Sequence, residues 1–361
     1  MGHAYINFIT TAVPDFDVHE KFIEYCPRLL PDERSLKIFQ RMAERSQIEH
    51  RYSFLQPHAD KNTLDVEGFY QNGAFPSTQT RMQFYERHAF TLATRALDQL
   101  ELNGTTHLIT TTCTGFYAPG LDHQLIQHYG LRDNIERTAV GFMGCYAAIN
   151  ALKLARHIVR SEPQAKVLVL NLELCTLHLK TAGTLEEILS FAIFSDGCAA
   201  SIVSAQPKGI EIKSFESVVL PDTADLITWR VGDQGFDMHL SGKVPGAIGS
   251  NLPQVLDTLL NSCPRDDITH WAIHPGGRTV LDAVKAAAAL DEPQLTESRE
   301  VLRKFGNMSS ATIMFVLQNM LNRASPVQSL GQGLEQGLGE GLAMAFGPGL
   351  TVESMRFSLQ G

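Results

Sequence analysis

Charge is scarce in this chain: Asp, Glu, Lys and Arg make up 19% of its 361 residues, against 44% apolar residues. Disorder needs the opposite balance, low hydrophobicity with dense charge, and is excluded. Basic residues are in deficit, 30 against 39 acidic ones, for a formal charge of −9. That excludes a nucleic-acid binder, which needs a clustered basic surface to neutralise phosphates. No apolar run approaches the roughly 18 residues of a membrane span, and the most apolar helix candidate is interrupted by Lys153 and Arg156. The six cysteines (Cys26, Cys113, Cys145, Cys175, Cys198, Cys263) form neither CxxC pairs nor a disulfide framework. The opening MGHAYINFITTAVPDFD lacks the sections of an export signal, and Ile6 stands where myristoylation needs Ser or Thr. Reduced thiols in a cytoplasmic protein are the expectation.

Alternating strands and helices are abundant. HLITTT (107–112) and KVLVLNLE (166–173) are continuous apolar or β-branched runs, as strands covered on both faces should be. Between them Tyr146–Val159 is small and apolar around most of its circumference, which suits a helix buried in the middle of a protein. Strands are expected at 197–204 and 209–219, with Pro207-Lys208-Gly209 as the candidate boundary. A second half then repeats the rhythm: strand 269–274, helix Arg278–Leu290, helix Ser309–Arg323, and strands EGLAMAF and LTVESMRFSL. A length above about 250–300 residues favours two cores. The expected fold is α/β, a five-layer αβαβα sandwich of two halves, 1–206 and 207–361. The Gly-rich GQGLEQGLGEG (331–341) contains no phosphate-loop pattern and is expected to be a surface connector.

Three polar residues occupy informative positions. Cys145 opens the buried helix, where unpaired N–H groups and the helix dipole favour a thiolate; a packed, inert cysteine is the alternative. His274 ends a strand and precedes Pro275-Gly276-Gly277, at the carboxyl edge where α/β ligands bind. Asn307 precedes an apolar helix and could equally be its cap. A thiol can carry an acyl group, histidine can stabilise its thiolate, and His and Asn N–H groups can hold an oxyanion. Cys–His–Asn also serves hydrolases, so these residues leave acyl transfer and hydrolysis both open.

In order and spacing, FQRM (39–42), TCTGFYAPGLD (112–122), GFMGCYAA (141–148), VLVLNLELCTLHL (167–179), FAIFSDGCAA (191–200), HPGG (274–277), GNMSSA (306–311) and FGPGLTVE (346–353) span nearly the whole chain. The set resembles the type III polyketide synthases, the chalcone synthase-like branch of the thiolase superfamily. The resemblance implies a thiolase-like fold, a homodimer, an acyl-CoA starter and malonyl-CoA as substrates, and no metal or other cofactor. Cys145 becomes the acyl-accepting nucleophile, and His274 with Asn307 the pair that drives malonyl decarboxylation. Phe194 falls on the gatekeeper between CoA tunnel and cavity, and Arg41 and Arg45 on basic positions that meet CoA. The third such position holds Ile38, an uncharged side chain, so its role is either absent here or taken by Lys37.

Cys113, Cys175, His178, Trp229, Met238 and Ser309 fall on cavity-wall positions. In plant chalcone synthases the first three are threonines, and a glycine and a phenylalanine stand where Trp229 and Met238 do. Ala118 replaces a methionine that there reaches into the partner's site. The pattern looks more like bacterial synthases of alkylpyrones, alkylresorcinols or small aromatics. Ala118 and Cys113 are expected to open room for a fatty acyl tail, with Trp229 shortening the polyketide pocket. The competing readings are a single-condensation ketoacyl synthase using an acyl-carrier protein, a cysteine hydrolase, and a non-catalytic acyl-binding subunit.

Overall fold

The computed structural model describes residues 2–71, 75–180, 184–324 and 339–360. Its first elements are β1 (Tyr5–Ala12), β2 (Phe16–Asp17), α1 (His19–Tyr25), α2 (Glu33–Arg45), β3 (Tyr52–Ser53), α3 (Thr78–Leu97) and β4 (His107–Thr112). They continue as α4 (Leu121–Tyr129), β5 (Glu136–Gly141), α5 (Ala147–Ser161), β6 (Val167–Leu174), α6 (Leu185–Phe191) and β7 (Asp196–Ser204). Then come β8 (Ile210–Val219), β9 (Ile227–Gly232), β10 (Gly235–Leu240), α7 (Val244–Leu260) and β11 (Ile268–Ile273). The chain closes with α8 (Arg278–Ala287), α9 (Thr296–Phe305), α10 (Thr312–Ala324), β12 (Gly339–Gly347) and β13 (Thr351–Leu359).

Nine strands form one hydrogen-bonded run in the order β11-β12-β13-β8-β1-β7-β6-β4-β5. The junction is narrow, since β1 meets β8 only at Tyr5↔Glu211 and Ile6↔Ile210. On either side of it the topology repeats. In the first half β4 is parallel to β6, while β7 is antiparallel to both β6 and β1. In the second, β11 is parallel to β12, and β13 is antiparallel to both β12 and β8. Helices α3, α4 and α5 recur in the same order as α7, α8 and α10. Two similar halves are therefore visible in topology, although no repeat is visible in sequence.

Side-chain alternation along the strands separates three apolar cores. Val167 and Val169 of β6 face a central core, while Leu168, Leu170 and Leu172 face an outer one with α3. On β12, Ala343 and Ala345 face the same central core, while Leu342, Met344 and Phe346 face a second outer core with α7 and α8. The central core holds α5 and α10, giving the five αβαβα layers. Both faces of these strands are covered, so their sequence reads as an unbroken apolar run rather than an alternating one. Ala148, Ala151 and Ala155 keep α5 thin enough to fit between two sheets without losing helix propensity.

Two features lie outside this frame. β9 and β10 make a separate two-stranded ribbon that pairs Trp229 with Met238. Strand β5, at the end of the sheet, is exposed along nearly all of its length. Residues 331–338 of the Gly-rich segment lie outside the described residues, while Gly339 to Gly341 begin β12. A Cβ at Gly341 would sit 2.2 Å from the Phe357 ring, so close strand pairing requires glycine there. No helix among the described residues is long and apolar enough to cross a membrane.

Candidate active site

The repeated topology brings four chain positions together. Cys113 follows β4, and His274 follows the equivalent strand β11. Cys145 stands just before α5, and Asn307 precedes the equivalent helix α10 by one short turn. All four line a single cavity of about 570 Å³, within the range of small-molecule sites. Phe194, Cys175, Trp229, Met238, Ser309 and Arg45 line it too.

Local geometry orients each group. Cys145 lies in a single tight turn, Gly144–Tyr146, rather than in the first turn of α5 itself. Gly144 has φ +74°, and a Cβ there would lie 2.4 Å from Pro348 Cδ, so the close approach behind Cys145 requires glycine. The Cys145 thiol is within hydrogen-bonding reach of the Ser309 and Asn307 side chains. Asn307 Oδ1 accepts the Ser309 N–H (2.8 Å), and Nδ2 donates to Gly276 O (3.3 Å). One amide hydrogen is committed to Gly276 O, which leaves the other as the donor on the Cys145 side. Asn307 also pairs backbone to backbone with the Phe194 segment, through Asn307 N–H to Ile193 O and Ser195 N–H to Asn307 O, each 2.9 Å.

His274 N–H donates to Met344 O (2.8 Å), which ties the residue to β12. Its ring is 1% exposed, and neither ring nitrogen has a partner in the protein. Buried polar groups are normally satisfied, so two unpartnered nitrogens on a cavity-lining residue mark a candidate ligand site. Burial pushes the imidazole down to about 3 and, as the largest cause, pushes the Cys145 thiol up to about 12. The expected lowering of the thiol by the helix end is thus outweighed in the resting site, where both groups are neutral. A proton passing from Sγ to the imidazole leaves the net charge of the pair unchanged, so the nucleophile can be made in the transfer step.

Three of the expected site positions do not line this chain's cavity, and only His178 was expected on its wall. His178 does not line the cavity: it is fully buried behind Trp229, in edge-on contact with the indole at 5.4 Å between ring centres. Ala118, before a cis peptide bond to Pro119, is exposed and off the lining of this chain's own cavity, as a position facing a partner's site would be. Trp229 on the wall is in ring contact with Phe236 and Phe142, and Phe116 extends the same aromatic group. Arg41 is exposed one helical turn from Arg45, a placement that suits a rim position, and Arg45 and Arg278 reach the cavity itself.

Sequence reasoning missed Glu173 and Arg51. Glu173 is fully buried beneath the site and accepts from Cys113 N–H (2.9 Å), Thr114 Oγ1 (2.9 Å) and Ser310 Oγ (2.6 Å). Burial pushes its carboxyl up to about 7. An acid inside the apolar run VLVLNLEL was the available signal. Arg51, also fully buried, donates to Phe191 O (2.7 Å) and Phe194 O (3.1 Å), clamping the Phe194 segment from behind. Outside the cavity lining, the ligand atoms of His107, Glu136 and Glu162 lie within 4.8 Å of one another. All six cysteines are free.

Comparison with known proteins gives the family of the chain. The chalcone and stilbene synthase N-terminal domain matches residues 1–207, and the C-terminal domain of the same description matches 211–359. The chain is 35% identical over 300 residues to the alpha-pyrone synthesis polyketide synthase-like Pks18 of Mycobacterium tuberculosis, covering 79% of this chain and 74% of that protein. PKS-I from the brown alga Ectocarpus siliculosus superposes with a TM-score of 0.86 at 27% identity, covering 100% of this chain and 99% of that one. The C-terminal type III polyketide synthase domain of Steely1 from Dictyostelium shares the fold, with a TM-score of 0.86 at 24% identity over 99% of both chains.

Proposed function

Because this chain belongs to the chalcone and stilbene synthase family, the type III polyketide synthases, we propose that Cys145, His274 and Asn307 carry its condensation chemistry. The observation behind the assignment is their convergence on one cavity, with both nitrogens of a buried His274 unpartnered. The Cys145 sulfur attacks the starter thioester, its proton passes to His274, and CoA leaves as the thiol with that proton. Malonyl-CoA then loses CO₂, and His274 and the Asn307 N–H on the Cys145 side hold the oxygen of the resulting enolate. Each such donor is worth on the order of 3 kcal/mol in the transition state. The enolate carbon attacks the Cys145 thioester, forming the new C–C bond and expelling the thiolate, which recovers a proton. Return of the lengthened chain to Cys145 allows another round. An enol oxygen attacking the thioester carbonyl closes a pyrone and releases the product. This iterative chemistry separates the chain from a hydrolase, a carrier-dependent single-condensation enzyme and a non-catalytic subunit.

The substrate reading is finer: a fatty acyl-CoA starter and an alkylpyrone product. Apolar side chains dominate the lining, the slim Cys113 and Cys175 stand on its wall, and the Mycobacterium relative is named for alpha-pyrone synthesis. Arg45 and Arg278 supply cations for CoA phosphates despite the overall negative charge. A homodimer is part of the same proposal, supported by the unpaired edge of β5 beside exposed Phe116 and Met143. Six free thiols suit a cytoplasmic setting. A starter series tests the substrate class by product mass spectrometry. Medium- and long-chain acyl-CoAs should exceed acetyl-CoA and coumaroyl-CoA by roughly tenfold or more in kcat/KM. A preference for acetyl or coumaroyl starters would overturn it.

A further inference from the structure

Trp229 and Met238 of the β9–β10 ribbon bring one wall of the cavity into place. The ribbon is not part of the nine-stranded sheet, so its position depends on contacts made by other elements. Some of these hold its outer end: Gly235 N–H donates to Thr78 Oγ1 (2.7 Å), and Lys180 Nζ donates to Gln234 O (3.0 Å) and pairs with Asp237 (2.7 Å). Two more act at the wall. The Trp229 indole N–H donates to Cys113 O (2.8 Å), and Phe236 N–H donates to Nδ1 of His178 (3.2 Å).

His178 makes several of these contacts at once. Its Nε2–H donates to Thr114 O (2.9 Å), so Nδ1 is free to accept from the ribbon. Its ring stacks on Phe236, with centres 4.3 Å apart and planes 15° apart, and meets Trp229 edge-on at 82°. A side chain with both ring nitrogens bonded and two aromatic rings against it fixes distances between three chain segments. A threonine or aliphatic side chain could not bond both segments and also support the rings. From this geometry we propose that His178 is a positioning residue: it holds Trp229 against the cavity and so limits how many malonyl-derived units are added before cyclisation. The inference rests on the polyketide reading above. Burial pushes the His178 imidazole down to about 3, so the strut stays neutral at ordinary pH.

The test combines product ratio with tryptophan fluorescence. The chain has two tryptophans, and Trp271 is buried in the outer core with its N–H on Ile268 O (3.1 Å), so a change on altering His178 reports Trp229. With one fatty acyl-CoA and malonyl-CoA, His178→Leu should raise the ratio of the product one unit longer to the normal product by roughly tenfold. It should also shift the Trp emission. His178→Asn, which keeps an acceptor for Phe236 N–H but loses the Thr114 bond and the ring contacts, should restore both readouts only in part. If the leucine variant does not fold, His178→Gln, which keeps the Thr114 bond but misplaces the Phe236 acceptor, replaces it in the same comparison. An unchanged ratio, or an unchanged emission spectrum, in the folded variant overturns the proposal. Failure of the native protein to form any polyketide would instead refute the function, while the emission comparison would still read the strut.

Discussion

Cys145→Ala is expected to eliminate polyketide formation, a loss on the order of 10⁴-fold or more, while malonyl-CoA is still slowly decarboxylated. The two outcomes separate because the proposed steps use different groups. Condensation needs a sulfur to carry the acyl chain, and among the cavity's three cysteines only Cys145 lies beside the Ser309 and Asn307 side chains at the start of α5. Decarboxylation needs only the donors on His274 and Asn307, which alanine at 145 leaves in place. The substitution removes one sulfur from the cavity side of a turn and leaves the φ +74° glycine before it untouched. Folding should therefore be retained, with a Tm near that of the native protein. A variant that still makes product would transfer the nucleophile to Cys113 or Cys175, the other thiols on the wall.

Removing either enolate donor is the second large effect. His274→Ala and Asn307→Asp should each lower malonyl-CoA decarboxylation by roughly 10²–10³-fold. Aspartate is the better choice at 307, because it keeps the oxygen that accepts Ser309 N–H (2.8 Å) and, besides the enolate donor, loses only the longer bond to Gly276 O (3.3 Å). It also sets a negative charge against the developing enolate, which adds to the loss. The losses should not add in the double variant, since both donors act on one oxygen. Release of CO₂ from malonyl-CoA, measured beside acylation of Cys145 by the starter, distinguishes the roles. Asn307→Asp should leave substantial acylation while stopping extension. Equal loss of both steps would mean that Asn307 serves the structure of the turn rather than the enolate.

Much of this was legible from residue patterns, and the parts that were not have physical reasons. Strands β6 and β7 and the helix around α5 lie within a residue or two of where apolar runs put them. Burial on both faces writes itself into a sequence without ambiguity. The β9–β10 ribbon left little trace, because ITWRVG has no buried position and GFDMHL only its first two, so neither reads as a continuous or alternating apolar run. The resemblance brought Trp229 and Met238 to the wall, but nothing in the sequence said that they face one another across a ribbon. His178 misled for a related reason: a position on the motif strand could be aligned, yet a bulky indole in front of it moved the wall inward. The thiol of Cys145 is the electrostatic counterpart. A helix end is visible in sequence, whereas the desolvation that outweighs it depends on the cavity formed by both halves.

The central claim is that a thiol from the first half and two donors from the second act on one bound acyl chain. Intact-protein mass spectrometry tests it most directly, with peptide mapping after incubation with a fatty acyl-CoA and then with malonyl-CoA. The predicted result is one starter acyl group on the peptide carrying Cys145, discharged when malonyl-CoA is added, with matching appearance of pyrone. In Asn307→Asp that acyl group should persist after malonyl-CoA is added. An unmodified Cys145 in the native protein, or discharge as free fatty acid with no extended product, would contradict the account.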